Sequence, residues 1–328
     1  MTRTFVTLFD HRYLPRGVAM YQSLSAHCDD FLLWVVALSP ECEHQLCACA
    51  LPNVKVVPLN EIERAIPELV VAKGNRSLVE YYYTLSSAAC EYVIQRVADN
   101  DLVTYLDADL FFFASPEPVF QRIGNSSVGI TPHRFSPGLE RYEKVGKYNV
   151  GWVTFRRDAA GTACLKWWVA RCLEWCYERQ EAGKYADQGY LDSFPKLFDN
   201  VCVVDAPGIN LAPWNLGQHR VEMKHGSVVV DGEPLVFFHF AEVRQLSRWH
   251  YSTGTAAGRV WLTWSLRRTL YWPYIATLRR IAPGGLPSGA RRPKLGSIVS
   301  RAGLRALAKG VFKIVMAEYV VAFGDRLF

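Results

Sequence analysis

The chain contains the stretch Leu102-Val-Thr-Tyr-Leu-Asp107-Ala-Asp109-Leu-Phe-Phe-Phe113, in which two acids interrupt an apolar, β-branched and aromatic run. A run that is apolar on both faces predicts a buried strand. Residues i and i+2 of a strand point to the same side, so Asp107 and Asp109 are predicted to converge on one point. Burying two carboxylates is costly without a cation, and paired oxygens suit Mg²⁺ or Mn²⁺. The alternative is a strand end where the acids face water.

Composition is that of an ordinary globular protein: 328 residues, of which 50% are hydrophobic and 21% charged. The nine cysteines are an odd number, and no charged-then-apolar leader precedes the first apolar run, so we expect a cytoplasmic chain with reduced thiols. Cys47-x-Cys49 and the pair Cys172 and Cys176 lack the spacing and histidine partners of a zinc site. This favours cysteines that pack in the core.

Positive charge is concentrated at the C-terminal end. The chain has a net charge of +6, whereas residues 259–328 contain 13 Lys/Arg and two acids, a net charge of +11 that leaves −5 for residues 1–258. We therefore predict a main domain over 1–258 and a basic tail over 259–328. Such a tail suits an anionic surface, either a membrane or a nucleic acid. No apolar stretch has the length of a transmembrane helix.

Strand-like and helix-like segments alternate in the first half of the chain. Strands are predicted at 5–10, 31–38, 54–59 and 102–113, and helices at 18–27, from 60 onward and from about 78 to 97. Ser77 and Glu80 have the spacing of a capping box. The alternation predicts an α/β fold: a mostly parallel sheet with helices on both faces and ligands at the carboxyl ends of its strands. No G-x-G-x-x-G follows the first strand, which disfavours a dinucleotide fold.

The second half contains shorter elements. Strands are predicted at 127–131, 149–155 and 201–204, a polar loop at 133–147, a helix at about 159–179 and a helix start within 185–192. Asp231-Gly232 indicates a hairpin between strands at 227–230 and 235–238, which ends at His239.

Five segments in this order resemble GT-A glycosyltransferases, and among them the retaining family 8 enzymes and their bacterial lipopolysaccharide relatives. The segments are Asp10 with Tyr13 and Ser23-Leu24, Tyr-Leu-Asp107-Ala-Asp109, Tyr148-Asn149-Val-Gly151, Asp187-Gln188-x-x-Leu191-Asp192, and a late Phe-Phe-His239-Phe. The resemblance implies a GT-A fold, with a mixed, Rossmann-like sheet and helices on both faces, and makes residues 1–258 the catalytic domain.

The resemblance also implies a reaction and a site. Family members move a sugar from a nucleotide-diphosphate donor, here expected to be a UDP-sugar, to a glycan or lipid-linked acceptor, with Mn²⁺ (or Mg²⁺) on the diphosphate. The residues that it implies are Asp107, Asp109 and His239 as metal ligands, Asp10 at the uracil or ribose, Tyr13 beside it, and Asn149, Asp187 and Gln188 at the donor sugar.

Two positions depart from the family pattern. Family 8 enzymes often place an arginine in the helix before D-x-D, where this chain has Tyr-Thr-Leu at 83–85, so Arg76 is the upstream candidate for donor binding. They also often follow the late histidine with Gly and then Lys-Pro-Trp, whereas His239 is followed here by Phe-Ala-Glu-Val-Arg. Arg244 or Arg248 is therefore expected to contact the diphosphate.

The chemistry of such a site is physically coherent. Charge builds on the diphosphate as the anomeric bond breaks, and a divalent cation neutralises that charge without a proton donor. By the hydrolase analogy, a double displacement needs a carboxylate about 5 Å from the acid/base. Asp187 and Asp192 are candidates, although both equally suit hydrogen bonds to sugar hydroxyls. The resemblance favours retention through a front-face path, in which the leaving phosphate takes the acceptor proton.

The site residues also have structural alternatives. His239 lies between aromatic residues and suits a core histidine. Asp187 and Gln188 suit a helix cap. Asn149-x-Gly151 suits a bend before a strand.

Three further residues are predicted on the acceptor side. Trp214 and Asn215 belong to a Pro-Trp-Asn turn, in which the indole suits a platform for a sugar ring. His133, in the polar loop beyond a strand end, is the third candidate.

Two other functions fit parts of the pattern. D-x-D at a strand end begins haloacid-dehalogenase phosphatases, but those have Thr or Val two residues after the second acid, an N-terminal position and a later Gly-Asp-x-x-x-Asp pair. This chain has Phe111 at that place, and the motif lies beyond residue 100. The second is a non-catalytic nucleotide-sugar-binding partner in a membrane-bound assembly. The presence of every metal and donor-facing candidate argues against it.

The tail predicts peripheral docking on the cytoplasmic face of the membrane, beside a lipid-linked or lipopolysaccharide acceptor. Aromatic residues that prefer the headgroup boundary alternate with arginines: Trp261, Trp264, Tyr271, Trp272 and Tyr274 with Arg267, Arg268, Arg279 and Arg280. Beyond a Gly/Pro-rich joint, an interfacial amphipathic helix is predicted from Leu304, Leu307, Ala308, Val311, Phe312 and Val315. Nucleic acid is disfavoured because the apolar run at 320–323 has no use on a phosphate backbone. The alternative is a helix that packs on the main domain or on a dimer partner.

Overall fold

The computed structural model describes residues 2–181, 183–286, 318–323 and 326–327. The first eight strands are β1 (Arg3–Phe9), β2 (Phe31–Ala37), β3 (Val54–Pro58), β4 (Leu102–Leu106), β5 (Leu110–Phe112), β6 (Val128–Pro132), β7 (Tyr148–Arg156) and β8 (Val201–Val203). Seven of them form one sheet in the order β3-β2-β1-β4-β7-β6-β8. The strand positions follow the apolar runs of the sequence closely.

Four of the six strand pairs in this sheet are parallel, and β7 is antiparallel to both of its neighbours, β4 and β6. The predicted sheet is therefore confirmed as mostly parallel, with one reversed strand that makes it mixed. β1 and β4 are adjacent and parallel, so the residues that follow them, Asp10 and Asp107, lie at the same edge.

The helices of this region are α1 (Leu14–Ser25), α2 (Pro40–Cys49), α3 (Leu59–Ala65), α4 (Glu68–Gly74), α5 (Leu78–Ile94), α6 (Glu117–Ile123), α7 (Ala159–Glu174) and α8 (Phe194–Leu197), with 3₁₀ turns at Glu140–Val145, Gln188–Ser193 and Leu216–Gln218. The capping box is confirmed, because Ser77 and Glu80 each accept from the other's backbone N–H. The helix predicted to reach 179 ends earlier, since Trp175 adopts an extended backbone.

Helices cover both faces of the sheet, as predicted. Neighbouring residues of β1 point to opposite sides: Val6 belongs to a cluster with residues of α5 and α7, whereas Phe5 packs with Phe120 and Trp152 in a second cluster. The two clusters bury the faces of one sheet. The packing of both clusters holds in place the carboxyl ends of β1 and β4, where Asp10 and Asp107 lie.

The acid stretch is not one continuous strand, so that part of the prediction was wrong. β4 ends at Leu106 and β5 begins at Leu110, and a turn joins them in which the Leu110 N–H donates to the Asp107 carbonyl at 3.2 Å. The turn places both carboxylates at the edge of the sheet rather than within its interior.

The remaining strands are β9 (Val221–Lys224), β10 (Ser227–Val230), β11 (Glu233–Pro234), β12 (Phe237–His239), β13 (Arg244–Gln245), β14 (His250–Ser252), β15 (Tyr319–Phe323) and β16 (Arg326–Leu327). The predicted hairpin is only partly formed. β10 pairs with β11 over two residues, and one further bond follows, from the Leu235 N–H to the Val228 carbonyl at 2.9 Å. β12 instead pairs antiparallel with β5.

The segment after residue 258 packs on the main domain. It contains α9 (Trp264–Leu266), a π-helical turn (Arg267–Tyr271) and α10 (Trp272–Ile281). Tyr271 and Tyr274 are fully buried against Phe240, in one cluster with Ala19 of α1. Their predicted membrane contact was therefore wrong, because these rings fill a protein core.

Other parts of the tail prediction have different outcomes. Trp261 and Trp264 are each 55% exposed. The amphipathic helix predicted from Leu304 to Val315 lies outside the described residues. Among the residues that the structure does describe, no helix combines the length and apolarity needed to cross a bilayer.

All nine cysteines fall within the described ranges and are free thiols. Six of them are buried, as predicted for core cysteines. Cys47 and Cys49 are exposed on α2, which corrects the prediction for that pair.

Candidate functional site

The pairing of β5 with β12 assembles the centre of the site. His239 lies opposite Leu110 in this ladder, and the Phe240 N–H donates to the Asp109 carbonyl at 2.9 Å. The His239 Nε2 is consequently 3.1 Å from Oδ1 of Asp109 and 3.5 Å from Oδ2 of Asp107. The predicted convergence of the two acids is confirmed, and the late histidine joins them.

Burial and mutual charge shift the protonation of this group. Burial by itself lowers the pKa of His239 and raises that of Asp109. The attraction and hydrogen bond between the two reverse both effects, so that the pKa of His239 is raised and that of Asp109 is lowered. Burial raises the pKa of Asp107, against the opposing charge of His239. The strongest pairing is therefore between His239 and Asp109.

This donor set fits a divalent cation. One ligand atom from each of Asp107, Asp109 and His239 lies within 4.8 Å of the others. Neighbouring ligands around an ion with bonds of about 2.1 Å are about 3 Å apart, so small side-chain shifts bring the three atoms to that spacing. The Asp107 side chain is 29% exposed and the other two are under 10%, so the group is reached from solvent on the side of Asp107.

Helix α1 begins beside the acids. The Tyr13 hydroxyl donates to Oδ2 of Asp109 at 3.0 Å, and Asp10 Oδ1 accepts from the backbone N–H groups of Arg12 and Tyr13. Burial, followed by the Asp109 charge, raises the pKa of Tyr13, and Arg16 opposes this. One oxygen of Asp10 thus fixes the turn that delivers Tyr13 to Asp109.

Arg16 is a site residue that the sequence argument missed. Its guanidinium lies 4.5 Å from the centre of the Tyr13 ring, and its Nη2 donates to the Val243 carbonyl at 3.1 Å. Its charge contributes to the lowered pKa of Asp109, after His239 and Tyr13. The available signal was its position one turn after Tyr13, because residues three apart on a helix share a face.

Two residues surround the other side of His239. Asn149 is buried, and its Oδ1 is 3.1 Å from the Nδ1 of His239. The Trp214 ring meets His239 edge-on, with centroids 5.2 Å apart, and its Nε1 donates to the His133 carbonyl. Trp214 therefore borders the candidate metal-binding group.

Asp187 is buried within electrostatic range of Asp107. Burial, followed by the charge of Asp107, raises its pKa to about 7. Its side chain makes no cap hydrogen bond at the start of the 3₁₀ turn, so the helix-cap alternative does not hold for it. The Gln188 Nε2 donates to the Val145 carbonyl at 2.9 Å, which links this turn to the loop at 133–147.

The two arginines predicted at the donor have other partners. Arg76 donates to Thr84 and to the carbonyls of Cys172 and Leu173, where it closes the C-terminal end of α7. Arg244 is exposed and donates to Glu242. Both guanidinium groups are therefore engaged by other groups of the protein.

Two of the acceptor candidates are buried. His133 is only 4% exposed, stacked on Phe135. Asn215 is fully buried, and its amide holds the turn by donating to the His133 and Asn210 carbonyls and accepting from the Ala212 N–H. Both side chains stabilise the loops around the site and present no surface to an acceptor.

Comparison with solved structures identifies the architecture. The galactosyltransferase LgtC, in its complex with donor and acceptor sugar analogues, superposes with a TM-score of 0.50 over 88% of this chain and 98% of LgtC, at 17% sequence identity. The chain thus has the GT-A glycosyltransferase fold, as the sequence resemblance predicted. No family model matches the chain.

Comparison with curated proteins places the chain more narrowly. It is 34% identical to YfnF of Bacillus subtilis (strain 168) over 257 residues, which cover 75% of this chain and 84% of YfnF. It is 31% identical to YfnD of the same organism over 286 residues, covering 84% of this chain and 88% of YfnD. The chain belongs to the family of YfnF and YfnD, both of which are named as uncharacterized proteins.

Proposed function

We propose that this protein is a metal-dependent glycosyltransferase that moves a sugar from a nucleotide-diphosphate donor, a UDP-sugar, to a glycan or lipid-linked acceptor. The observation that carries the proposal is the Asp107, Asp109 and His239 group at the carboxyl edge of a GT-A sheet. Ligands of α/β folds bind at this edge. LgtC, which has the same fold, is a galactosyltransferase that binds donor and acceptor sugar analogues.

The protein's own residues supply binding and orientation in this proposal. Asp107, Asp109 and His239 hold Mn²⁺ (or Mg²⁺), and the Tyr13 hydroxyl fixes the rotamer of Asp109 through its 3.0 Å hydrogen bond. A bound divalent cation would neutralise the charge that develops on the leaving diphosphate. Asp10 faces the nucleoside from the turn after β1.

Arg16 is the cation that we assign to the diphosphate in place of Arg244. It stands beside Tyr13, on the acid side of α1, whereas Arg244 is exposed and paired with Glu242. A guanidinium presents two donors in a plane, which suits phosphate oxygens.

Asp187 and Gln188 contact the transferred sugar in this proposal. Asp187 is buried close enough to Asp107 for the charge of that residue to raise its pKa. We propose transfer with retention by a front-face path, in which the leaving phosphate accepts the acceptor proton. Trp214, at the edge of His239, borders the acceptor.

We also propose that the basic segment from 259 onward holds the protein on an anionic membrane surface, near lipid-linked or lipopolysaccharide acceptors. Trp261 and Trp264 are exposed, and residues 259–328 carry 13 Lys/Arg. Indole rings favour the headgroup boundary, and each basic residue near an anionic leaflet contributes about 1 kcal/mol.

A thermal-shift panel of nucleotide sugars with and without Mn²⁺ tests the proposed function. Saturation at about 100 times Kd stabilises a protein by about 2.7 kcal/mol, so the correct donor should raise Tm by several degrees. The shift should require Mn²⁺ and vanish in Asp109→Asn. The best donor is then used to measure UDP release with and without glycan acceptors.

Three outcomes are informative. Metal-dependent donor binding with UDP release supports the enzyme. Binding of the same donor without UDP release, on every acceptor tried, favours the non-catalytic nucleotide-sugar-binding protein. The absence of any donor-dependent shift with Mn²⁺ would contradict the proposed function.

A further inference from the structure

The Asn149 amide lies between two buried histidines. Its Oδ1 is 3.1 Å from the Nδ1 of His239, and its Nδ2 is 3.3 Å from the Nε2 of His133. All three side chains are at most 6% exposed. The amide therefore links a metal-binding histidine to a second histidine in an environment with little access to water.

A backbone donor defines which way this amide points. The Gly151 N–H donates to the Oδ1 of Asn149 at 3.0 Å. A backbone N–H only donates, so the atom it meets must be the amide oxygen. The His239 Nδ1 meets the same oxygen and must therefore carry a proton and donate it. In neutral His239 this leaves the Nε2 lone pair directed at Asp107 and Asp109, where a cation would bind.

The other end of the amide defines the second histidine. The Asn149 Nδ2 can only donate, so the Nε2 of His133 accepts. His133 is then neutral with its proton on Nδ1. Its stacking on Phe135 and its contact with the edge of Trp214 hold the ring in place. His133 thus holds the Asn149 amide in place by accepting from its Nδ2, at the end opposite His239.

The backbone is shaped to allow this arrangement. The pairing of β6 with β7 shifts register here, from Ile130 opposite Val153 to Thr131 opposite Asn149, so that residues 150–152 of β7 have no partner on β6. Irregularities of strand pairing, of which bulges are the simplest, redirect side chains next to functional sites. A Cβ at Gly151 would lie 2.6 Å from Oδ1 of Asn149 and 2.9 Å from Nδ1 of His239, so only glycine leaves room for the contact.

We propose that Asn149 is a positioning residue that holds His239 in the tautomer whose Nε2 faces the divalent cation, rather than a contact of the donor sugar. The inference rests on the proposed function, because it assumes that His239 is a metal ligand. Outer hydrogen bonds of this kind fix the orientation of a histidine ligand, and their loss weakens metal affinity by about 10- to 100-fold.

The test is Mn²⁺ affinity of the full-length protein, measured without nucleotide by the EPR signal of free Mn²⁺. Asn149→Ala removes the acceptor for Nδ1, and Asn149→Leu removes it while filling the space. Asn149→Asp keeps an oxygen that accepts from Nδ1. Thr154→Val is the matched control, because Thr154 is also buried on β7 and hydrogen-bonds to Thr104 and Trp152.

The expected result is a 10- to 100-fold loss of Mn²⁺ affinity in Asn149→Ala and Asn149→Leu, and affinity within about threefold of wild type in Asn149→Asp and Thr154→Val. If Asn149→Ala does not fold, Asn149→Leu carries the comparison. If Asn149→Ala and Asn149→Leu bind Mn²⁺ as tightly as wild type, or if Asn149→Asp loses as much affinity as they do, the positioning role of Asn149 is wrong. Either result leaves the proposed function standing. A wild-type protein that binds no Mn²⁺ overturns the metal site, and the inference with it.

Discussion

The guanidinium of Arg16 lies 4.5 Å from the centre of the Tyr13 ring, and the hydroxyl of that ring donates to Asp109. Arg16 also donates to the Val243 carbonyl, four residues after His239. One side chain of α1 thus connects the two chain segments that supply the candidate metal ligands. This position favours Arg16 over Arg244 of β13 as the proposed diphosphate contact.

Arg16→Gln should lower kcat/KM for the nucleotide-sugar donor by about 10- to 100-fold. A hydrogen bond to a charged group is worth about 1.5–3 kcal/mol, and each 1.4 kcal/mol is tenfold. Arg244→Gln is the matched control and should change kcat/KM by less than about twofold, because exposed ion pairs contribute little. Steady-state kinetics and UDP titration calorimetry measure both variants. Equal losses in the two, or a larger loss in Arg244→Gln, would reject the assignment.

The sequence predicted those elements whose residues follow local rules. The strands follow apolar runs, and the Ser77 and Glu80 capping box needs only neighbouring groups to form. The convergence of Asp107 and Asp109 also follows from local geometry, although they lie in a turn between strands. The assignment of His239 as a metal ligand depended on the family resemblance, because no residue near it in the sequence indicates its distant partners.

Long-range pairing was the part that the sequence did not reveal. Asp231-Gly232 predicts a hairpin, but whether its second strand continues depends on an edge elsewhere, and β12 completes β5 instead. The alternation of aromatics and arginines in the tail is the same for a membrane surface and for a protein surface. Tyr271 and Tyr274 are buried in the protein because their rings pack against Phe238 and Phe240.

Asp187→Asn and Gln188→Ala should each reduce turnover by at least about 100-fold while changing UDP affinity by less than about threefold. UDP lacks the sugar that these side chains are proposed to contact, so only the transfer step loses the interaction. Asp192→Asn is the control: Asp192 lies in the same 3₁₀ turn and accepts from the Lys147 N–H, and it should retain most of its turnover. Near-normal turnover in both Asp187→Asn and Gln188→Ala would make the motif structural.

Exposed indoles should contribute to membrane binding. The full chain is expected to float with anionic vesicles, less so at high salt, and Trp261→Ser with Trp264→Ser should reduce the bound fraction by more than half. Point variants are required because Tyr271 and Tyr274 are part of the core, so truncation near 258 would expose apolar protein surface. Val71→Ser, at a residue 72% exposed on α4, controls for loss of a surface apolar group. Flotation that is absent in wild type, or unchanged in the double variant, would argue for another role of the segment.

His133 should make stability depend on pH between about 7.5 and 5. Burial, followed by the charge of His239, lowers the pKa of His133 to about 3, whereas an unfolded histidine titrates near 6.5. As the pH falls through 6.5 the unfolded chain takes up a proton that the folded chain does not, so this residue's contribution to stability is complete above pH 6.5 and declines below it. The decline amounts to roughly 2 kcal/mol between pH 7.5 and 5. The side chain of His133→Gln cannot titrate. The difference in unfolding free energy between wild type and this variant should therefore shrink by about that amount as the pH falls from 7.5 to 5. Urea unfolding at several pH values measures it, with His44→Gln as the exposed control. Wild-type and His133→Gln stability curves that run parallel across this range would show that His133 is not held neutral in the folded protein.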